Sequence, residues 1–124
     1  MYKRQQLFAK KGQKSKARSY ANQALQNNPN LGKAYLIVAN LYASSANSCG
    51  KSLFEKKMTF VAALNKARRA ASVDPSIYSK ANRYIKSYKA SMPSKKLIFT
   101  EGVAPGSSHK IGCWIGETVK VPRY

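Results

Sequence analysis

Residues 62–76, AALNKARRAASVDPS, repeat the pattern of an earlier stretch of the chain, residues 16–30, KARSYANQALQNNPN. In both stretches three alanines and a proline follow one another at intervals of four, three and five residues. They are Ala17, Ala21, Ala24 and Pro29 in the first stretch and Ala63, Ala67, Ala70 and Pro75 in the second. Small residues at positions i, i+4 and i+7 form a helix face that a neighbouring helix can approach closely, and the proline ends the helix. The two stretches therefore predict equivalent helices in a repeated helical fold.

This pattern resembles the second helix of a tetratricopeptide repeat (TPR), a helix–turn–helix unit of about 34 residues. The neighbouring segments supply residues that are typical of TPR first helices. They are Phe8 and Gly12, then Tyr35, Val38, Ala39 and Tyr42, then Ala81, Tyr84, Ile85 and Tyr88. The resemblance covers residues 1 to about 91 and implies an all-α array of helix–turn–helix repeats, part of an α-solenoid.

Two features depart from the TPR pattern. Met1, Arg4 and Gln5 stand where an aromatic, an apolar and a small residue are typical, so the first helix looks incomplete and we expect the chain to be the C-terminal part of a longer array. Pro29 and Pro75 lie 46 residues apart (75 − 29) rather than about 34. The excess falls in a polar stretch at about 43–54, which predicts an extended loop before one long helix. Ser52 is a candidate N-cap of that helix, with Glu55 in the capping-box position.

The segment that follows residue 92 changes from a helical to a β-type pattern. Short strands are predicted in KLIFTEG (96–102), KIGCW (110–114) and TVKVP (118–122), with a turn at Gly116. The sequence thus predicts a helical domain, residues 1–92, and a C-terminal β-hairpin cap, residues 93–124. Because so small a hairpin is marginal alone, Ile98, Trp114 and Ile115 are expected to cover the apolar face of the last helix, around Tyr88.

Net charge is the most unusual bulk property of the chain. Its 124 residues include 23 Lys and Arg against four Asp and Glu, a net charge of +19. Such an excess favours anionic partners, namely nucleic acid, phosphorylated lipid or acidic protein. No window approaches the roughly 18 apolar residues of a membrane span. The N-terminus has no apolar stretch of the kind found in a secretory signal. We therefore predict a folded protein with an anionic partner and no membrane span.

Catalytic and metal-binding patterns are almost absent from the sequence. His109 is the only histidine, and it lies in a Ser-rich turn with no carboxylate near it in sequence. Cys49 and Cys113 are 64 residues apart (113 − 49), and with one histidine they do not supply a tetrahedral metal site. No glycine-rich phosphate loop follows a strand. The sequence therefore predicts no enzyme activity, no metal ion and no cofactor.

The two cysteines lie in the two places that break the TPR pattern. On cysteine count alone, free thiols in a cytosolic protein are the default. The stretches NSCGKSLFEKK and GCWIGETVKVP nevertheless resemble the C-terminal segment of a group of exported bacterial TPR proteins. The matching positions are Cys49, Gly50, Phe54, Glu55, Lys56, Pro93, Ser94, Ile98, Phe99, Cys113, Trp114 and Ile115. The resemblance implies a Cys49–Cys113 disulfide and a location in the periplasm or cell envelope, whereas free cysteines would indicate the cytoplasm.

A partner-binding groove is expected where TPR arrays bind peptides or proteins, along the face lined by first helices. The residues that alignment places there are Lys3, Gln6, Lys10, Lys33, Leu36, Asn40, Asn82, Arg83, Lys86 and Lys89. Six of the ten are basic and none is acidic, so the groove should be strongly positive. The sequence thus predicts a non-catalytic scaffold or adaptor of the bacterial cell envelope, within a longer chain or larger assembly, that binds an acidic protein or an anionic polymer.

Nucleic-acid binding is the alternative function. Eight tyrosines interleaved with Lys and Arg would allow bases to stack on aromatic rings. However, Tyr35, Tyr42, Tyr84 and Tyr88 fall on repeat-packing positions, which leaves few aromatic rings for stacking. Binding that weakens steeply with salt would favour this alternative.

Overall fold

Helices account for most of residues 14–124, the part of the chain that the structure, a computed structural model, describes. These residues form six α-helices, one 3₁₀ turn and two short strands. The helices are α1 (Lys14–Asn27), α2 (Gly32–Ser44), α3 (Ala46–Cys49), α4 (Leu53–Val73), α5 (Tyr78–Ser91) and α6 (Lys95–Glu101). The 3₁₀ turn is Pro75–Ile77, and the strands are β1 (Ser108–Lys110) and β2 (Thr118–Lys120). A mostly helical chain that ends in a small antiparallel sheet is confirmed.

The long helix α4 begins and ends where the sequence predicts. The Ser52 hydroxyl accepts a hydrogen bond from the Glu55 amide (3.1 Å), and the Glu55 carboxylate accepts one from the Ser52 amide (3.2 Å). This capping box satisfies amides that the first turn would leave unpaired. These hydrogen bonds to the carboxylate, with that from the Lys51 amide, also lower the pKa of Glu55. At the other end, Asp74 caps the turn that Pro75 begins.

The repeated alanines lie in helix–helix contacts. Ala63, Ala67 and Ala70 of α4 are completely buried, and Ala17 and Ala21 of α1 are almost so. Helix α1 packs on α2, α2 packs on α4, and α4 packs on α5. Ala24 is only half-buried, so the expectation of close helix packing is confirmed for five of the six alanines.

Gly32 shows how closely α2 meets the end of α4. Its amide donates a hydrogen bond to the Asp74 carboxylate at 3.0 Å. A Cβ atom placed on Gly32 would collide with the side chains of Asp74 and Ile77. The first turn of α2 therefore lies directly against the last turn of α4.

The stretch predicted as an extended loop, about 43–54, is largely helical. Helix α2 continues to Ser44, and α3 follows almost at once at Ala46. The hydroxyls of Ser44 and Ser45 each donate to the Leu41 carbonyl, at 3.0 and 2.9 Å. Polar serines indicate a loop because they compete for backbone hydrogen bonds, but here they bond back onto the preceding turn. The non-helical part is the single turn residue Ser45 and residues 50–52.

The prediction of a strand in KLIFTEG is wrong, because these residues form most of α6. The Ser94 hydroxyl caps the helix by accepting from the Leu97 amide at 3.0 Å. Gly102, at φ 68°, takes the left-handed conformation that ends many helices. Ile98 is buried and Phe99 exposed. A start signal at Ser94 and a stop signal at Gly102, with seven residues between them, override the β propensity of those residues.

The C-terminal hairpin is shorter than predicted and has a longer loop. Strands β1 and β2 pair antiparallel, with Ser108 opposite Lys120 and Lys110 opposite Thr118. Residues 111–117 connect them, so KIGCW is not a strand beyond its first residue. Cys113 has φ 53°, a left-handed conformation that strand pairing does not tolerate.

None of the helices in residues 14–124 has the length and apolar character that a membrane span requires.

Candidate anion-binding site

A disulfide attaches the C-terminal segment, residues 93–124, to the helices. Cys49 at the end of α3 and Cys113 in the hairpin loop are bonded, with their Cα atoms 5.3 Å apart. The structure thus contains the pairing that the resemblance to exported proteins implies. The bond closes a loop of 64 residues. In the chain-entropy description, a disulfide that closes such a loop stabilises the folded state by about 4 kcal/mol.

Arg18 of α1 holds the hairpin loop on the helices by hydrogen bonds. Its guanidinium donates to the backbone carbonyls of Ile115 (2.7 Å) and Trp114 (3.1 Å). It also lies 5.1 Å from the centre of the Trp114 ring, at cation–π distance. The Trp114 indole N–H donates to the Ser45 hydroxyl at 3.1 Å. One arginine therefore fixes both the backbone and the aromatic ring of the loop.

Tyr42 and Glu117 extend this polar contact to α2 and α4. The Tyr42 hydroxyl accepts from Arg18 (3.0 Å) and donates to the Glu117 carboxylate, which also pairs with the Lys66 ammonium at 3.4 Å. Burial, and then the hydrogen bond to Glu117, raise the pKa of Tyr42. These groups, together with Ser45 and Trp114, are called the Arg18–Glu117 network below. The network joins α1, α2, α4 and the hairpin loop.

The position of Trp114 differs from the sequence prediction. Trp114 was expected to cover α5, the last long helix, but its ring packs beside Tyr42 of α2, with ring centres 5.4 Å apart. The end of α5 is approached instead by Tyr124, whose hydroxyl donates to the Pro93 carbonyl at 2.6 Å. The C-terminal segment thus reaches α1 and α2 at its hairpin loop and the end of α5 at its last residue.

A cavity of about 890 Å³ opens between α4, the end of α5 and the C-terminal segment. Four cationic residues line it: Arg68 of α4, Lys89 of α5, and Lys120 and Arg123 of the C-terminal segment. All four are exposed. No carboxylate side chain is among the described residues that line this basic cavity, whose apolar lining includes Val61, Leu64, Met92 and Val121. Like charges at such a concave surface create a positive potential that attracts anions.

Gly106 leaves room for the Arg123 side chain in the basic cavity. The Gly106 amide donates to the Val121 carbonyl at 2.8 Å, with Gly106 at φ 82°. A Cβ atom placed on Gly106 would collide with the Arg123 guanidinium. The missing side chain of Gly106 therefore leaves the space that the guanidinium fills.

The predicted groove residues have different positions in the structure. Lys3, Gln6 and Lys10 lie outside residues 14–124. Leu36 is buried in the core, 4% exposed, so it does not line a groove. The exposed members are Lys33, Asn40, Asn82, Arg83, Lys86 and Lys89. Among them, Lys89 lines the basic cavity.

Sequence reasoning missed Arg68, Lys120 and Arg123 as site residues. In KVPR, residues 120–123, two cations flank an apolar pair, but residues three positions apart in an extended segment do not share a face. Neither this stretch nor the surroundings of Arg68 show that the C-terminal segment lies against α4. That placement depends on the disulfide and the Arg18–Glu117 network, which join residues far apart in sequence.

Most of the few carboxylates are used inside the fold. Glu55 caps α4, Asp74 binds the amides of Gly32 and Ser76, and Glu117 binds Tyr42 and Lys66. Hydrogen bonds from Ser76 and Gly32 lower the pKa of Asp74, which keeps this group charged. None of these three acidic side chains lines the basic cavity.

His109, the only histidine, packs against an aromatic ring. Its ring centre lies 5.5 Å from that of Phe54 in an edge-to-face arrangement, and the side chain is half-buried. Between residues 14 and 124, no three His, Cys, Asp or Glu side chains come together as metal ligands. The chemistry that the site residues offer is the binding of anions by cations and apolar surface.

Comparison with protein-family models, with curated proteins and with solved structures gives no match to this chain. The resemblance to TPR proteins therefore remains a prediction.

Proposed function

We propose that this chain is a non-catalytic scaffold or adaptor of the bacterial cell envelope, with TPR-like helices, that binds an acidic protein segment or an anionic polymer. The single observation that carries the proposal is the basic cavity, in which four cations surround an apolar lining without a carboxylate side chain among the described residues. A protein with net charge +19 draws anionic ligands to its whole surface, and a concave cationic site is where they would be held longest.

Helix packing and the disulfide support the remaining parts of the proposal. The long helices contact one another in chain order, as the helices of a repeat array do, and the repeated alanines lie in those contacts. The Cys49–Cys113 bond is compatible with an oxidising compartment such as the periplasm. An envelope location and a TPR-like arrangement follow from these observations as hypotheses.

Nucleic-acid binding is less well supported than the binding of acidic protein. Tyr42 and Tyr88 are buried, and Tyr35 and Tyr84 are partly buried against the core. Four of the eight tyrosines therefore have much of their ring surface covered by protein, which leaves less for the base stacking on which single-strand binders depend.

A labelled nine-residue glutamate peptide tests the proposal. Its affinity would be measured by fluorescence anisotropy for the wild type and for K120E/R123E, which reverses two cations of the basic cavity. We expect the variant to bind about tenfold more weakly, because each close charge pair near water contributes about 1 kcal/mol. The control variant K51E/K110E changes the net charge equally but lies outside the basic cavity, so its affinity should fall much less.

Two further measurements separate the alternatives. The variant K33A/R83A/K86A tests the exposed part of the predicted groove, and a labelled single-stranded DNA tests the nucleic-acid hypothesis. Binding of the DNA but not of the peptide would overturn the proposal. Failure of the glutamate peptide to bind the wild type at low salt would also contradict it.

A further inference from the structure

We propose that the acidic partner segment carries a large apolar side chain, which binds in a second cleft beside the basic cavity. This inference rests on the proposed function and adds to it the kind of peptide that is recognised. The second cleft, called the apolar cleft, has a volume of about 380 Å³ and is lined mainly by Ile98, Phe99, Val103, Pro105, Pro122 and Tyr124. It shares Pro122 and Tyr124 with the basic cavity, so one ligand can occupy both.

Phe99 is the feature of the apolar cleft that most needs a partner. Its side chain is 85% exposed, the highest value among the large apolar residues between positions 14 and 124, although Ile98 beside it is buried. Single exposed apolar residues are ordinary on protein surfaces. Phe99 differs because it lines a concave surface with other apolar groups, where one bound side chain would remove several of them from water at once.

The backbone holds Phe99 in this outward position. The Ser94 hydroxyl caps the start of α6, and the Gly102 amide donates to the Phe99 carbonyl at 3.0 Å at its end. With both ends of this short helix bonded, Ile98 faces inward and Phe99 is directed toward solvent. The apolar cleft is therefore formed before any partner arrives, which lowers the entropic cost of binding.

Tyr124 stands at the boundary of the two sites. Its hydroxyl donates to the Pro93 carbonyl at 2.6 Å, while 63% of its surface remains exposed. Lys95 lines the apolar cleft, and Lys120 and Arg123 line the basic cavity. A peptide with an apolar anchor at Tyr124 would thus find cations in both sites.

Charge and shape favour an acidic peptide over other occupants. A second copy of this protein would bring another +19 charge to a cationic surface, which is unfavourable at low salt. A flat anionic membrane would touch the exposed rim but leave two concave sites unfilled. A peptide with acidic residues around one aromatic or large aliphatic side chain complements both sites at once.

Two labelled peptides test this inference directly. One has four glutamates on each side of a central phenylalanine, and the other has glycine at the centre. With the wild type we expect the phenylalanine peptide to bind about tenfold more tightly, because the apolar cleft removes the phenylalanine ring from water. F99A should reduce this difference to about twofold or less. The control L53A removes another apolar side chain, 59% exposed and outside the apolar cleft, and should preserve the difference.

The outcomes distinguish this inference from the proposed function. If the two peptides bind equally to the wild type, and K120E/R123E weakens both, the apolar anchor is refuted while the acidic partner stands. If neither peptide binds, the proposed function fails. Vesicles rich in phosphatidylglycerol provide the remaining arm: vesicle binding that F99A abolishes, with peptide preference unchanged, would overturn the inference in favour of a membrane surface. The circular dichroism spectrum of F99A should match that of the wild type, which checks that a lost preference does not come from unfolding.

Discussion

The helices of residues 14–91 and the C-terminal segment are held in place by different means. The helices share an interface of many small contacts, in which Ala63, Ala67 and Ala70 allow close approach. The C-terminal segment is attached through one covalent bond, Cys49–Cys113, and the Arg18–Glu117 network, and buried apolar side chains add a further contribution. That contribution comes from Ile98, Ile111, Ile115, Val119 and Val121.

The difference shows where the protein is vulnerable. Because the helical interface is made of many small contacts, a substitution in it should destabilise the whole helical region. Stability concentrated in a bond and a few polar groups can be removed locally. Because Lys120 and Arg123 belong to the C-terminal segment, the basic cavity depends on these local attachments.

Removal of the disulfide should have the largest effect. For C49S/C113S we expect the free energy of unfolding to fall by about 4 kcal/mol, the entropy of closing a loop of 64 residues. Trp114, the only tryptophan, reports on the hairpin loop by its fluorescence, and circular dichroism reports on the helices. In urea the fluorescence transition should come first in this variant. Coincident transitions would show that the segment and the helices unfold together, and would contradict a local attachment of the segment.

Overpacking of the helical interface should give the second-largest loss of stability. Ala67 is completely buried, so Ala67→Leu should cost about 1–3 kcal/mol by forcing α4 away from its neighbours. Fluorescence and circular dichroism should shift to lower urea together, because the interface supports the whole fold. Arg69→Leu, at an exposed position of the same helix, is the matched control and should change stability by less than about 0.5 kcal/mol. Equal effects of the two variants would contradict the close packing.

The Arg18–Glu117 network gives the next prediction. Arg18→Lys keeps the charge but cannot reach the Tyr42 hydroxyl and the carbonyls of Trp114 and Ile115 together, so it should cost about 2 kcal/mol. The emission of Trp114 should change at low urea while the helical signal does not. Arg69→Lys is the control for loss of an arginine at an exposed site. Unchanged Trp114 emission in Arg18→Lys would mean that the disulfide alone positions the loop.

The helical region was more predictable from sequence than the C-terminal segment. Ser52, Glu55 and Pro75 act on neighbouring residues, so the limits of α4 can be read locally. The contact of Trp114 with Arg18 joins residues 96 positions apart, and nothing local indicates it. The same holds for the site: Lys89 was predicted from its place on a helix, whereas Arg123 lines the basic cavity only because the segment is attached there.

Alkaline titration of Tyr88 should have the smallest effect and reports on the helical region alone. Burial raises the pKa of Tyr88 to about 12. Because the folded state keeps this phenol neutral, its stabilisation is fully present below about pH 10 and is lost as the pH rises from 10 towards 12. Between pH 9 and 11 the wild type should lose about 1 kcal/mol relative to Tyr88→Phe, which cannot ionise. Urea unfolding of both proteins at the two pH values checks this, and parallel losses would contradict a buried phenol.

The helices and the C-terminal segment together are proposed to form one anion-binding site, the basic cavity. Its most direct test is the affinity of the labelled nine-residue glutamate peptide for two charge-reversal variants, one for each side of the basic cavity. R68E/K89E reverses the helical side and K120E/R123E the side of the C-terminal segment. We predict that each weakens binding about tenfold, far more than K51E/K110E, which alters the net charge equally. Equal weakening by all three variants would show that only the overall charge attracts the peptide, and would contradict the site.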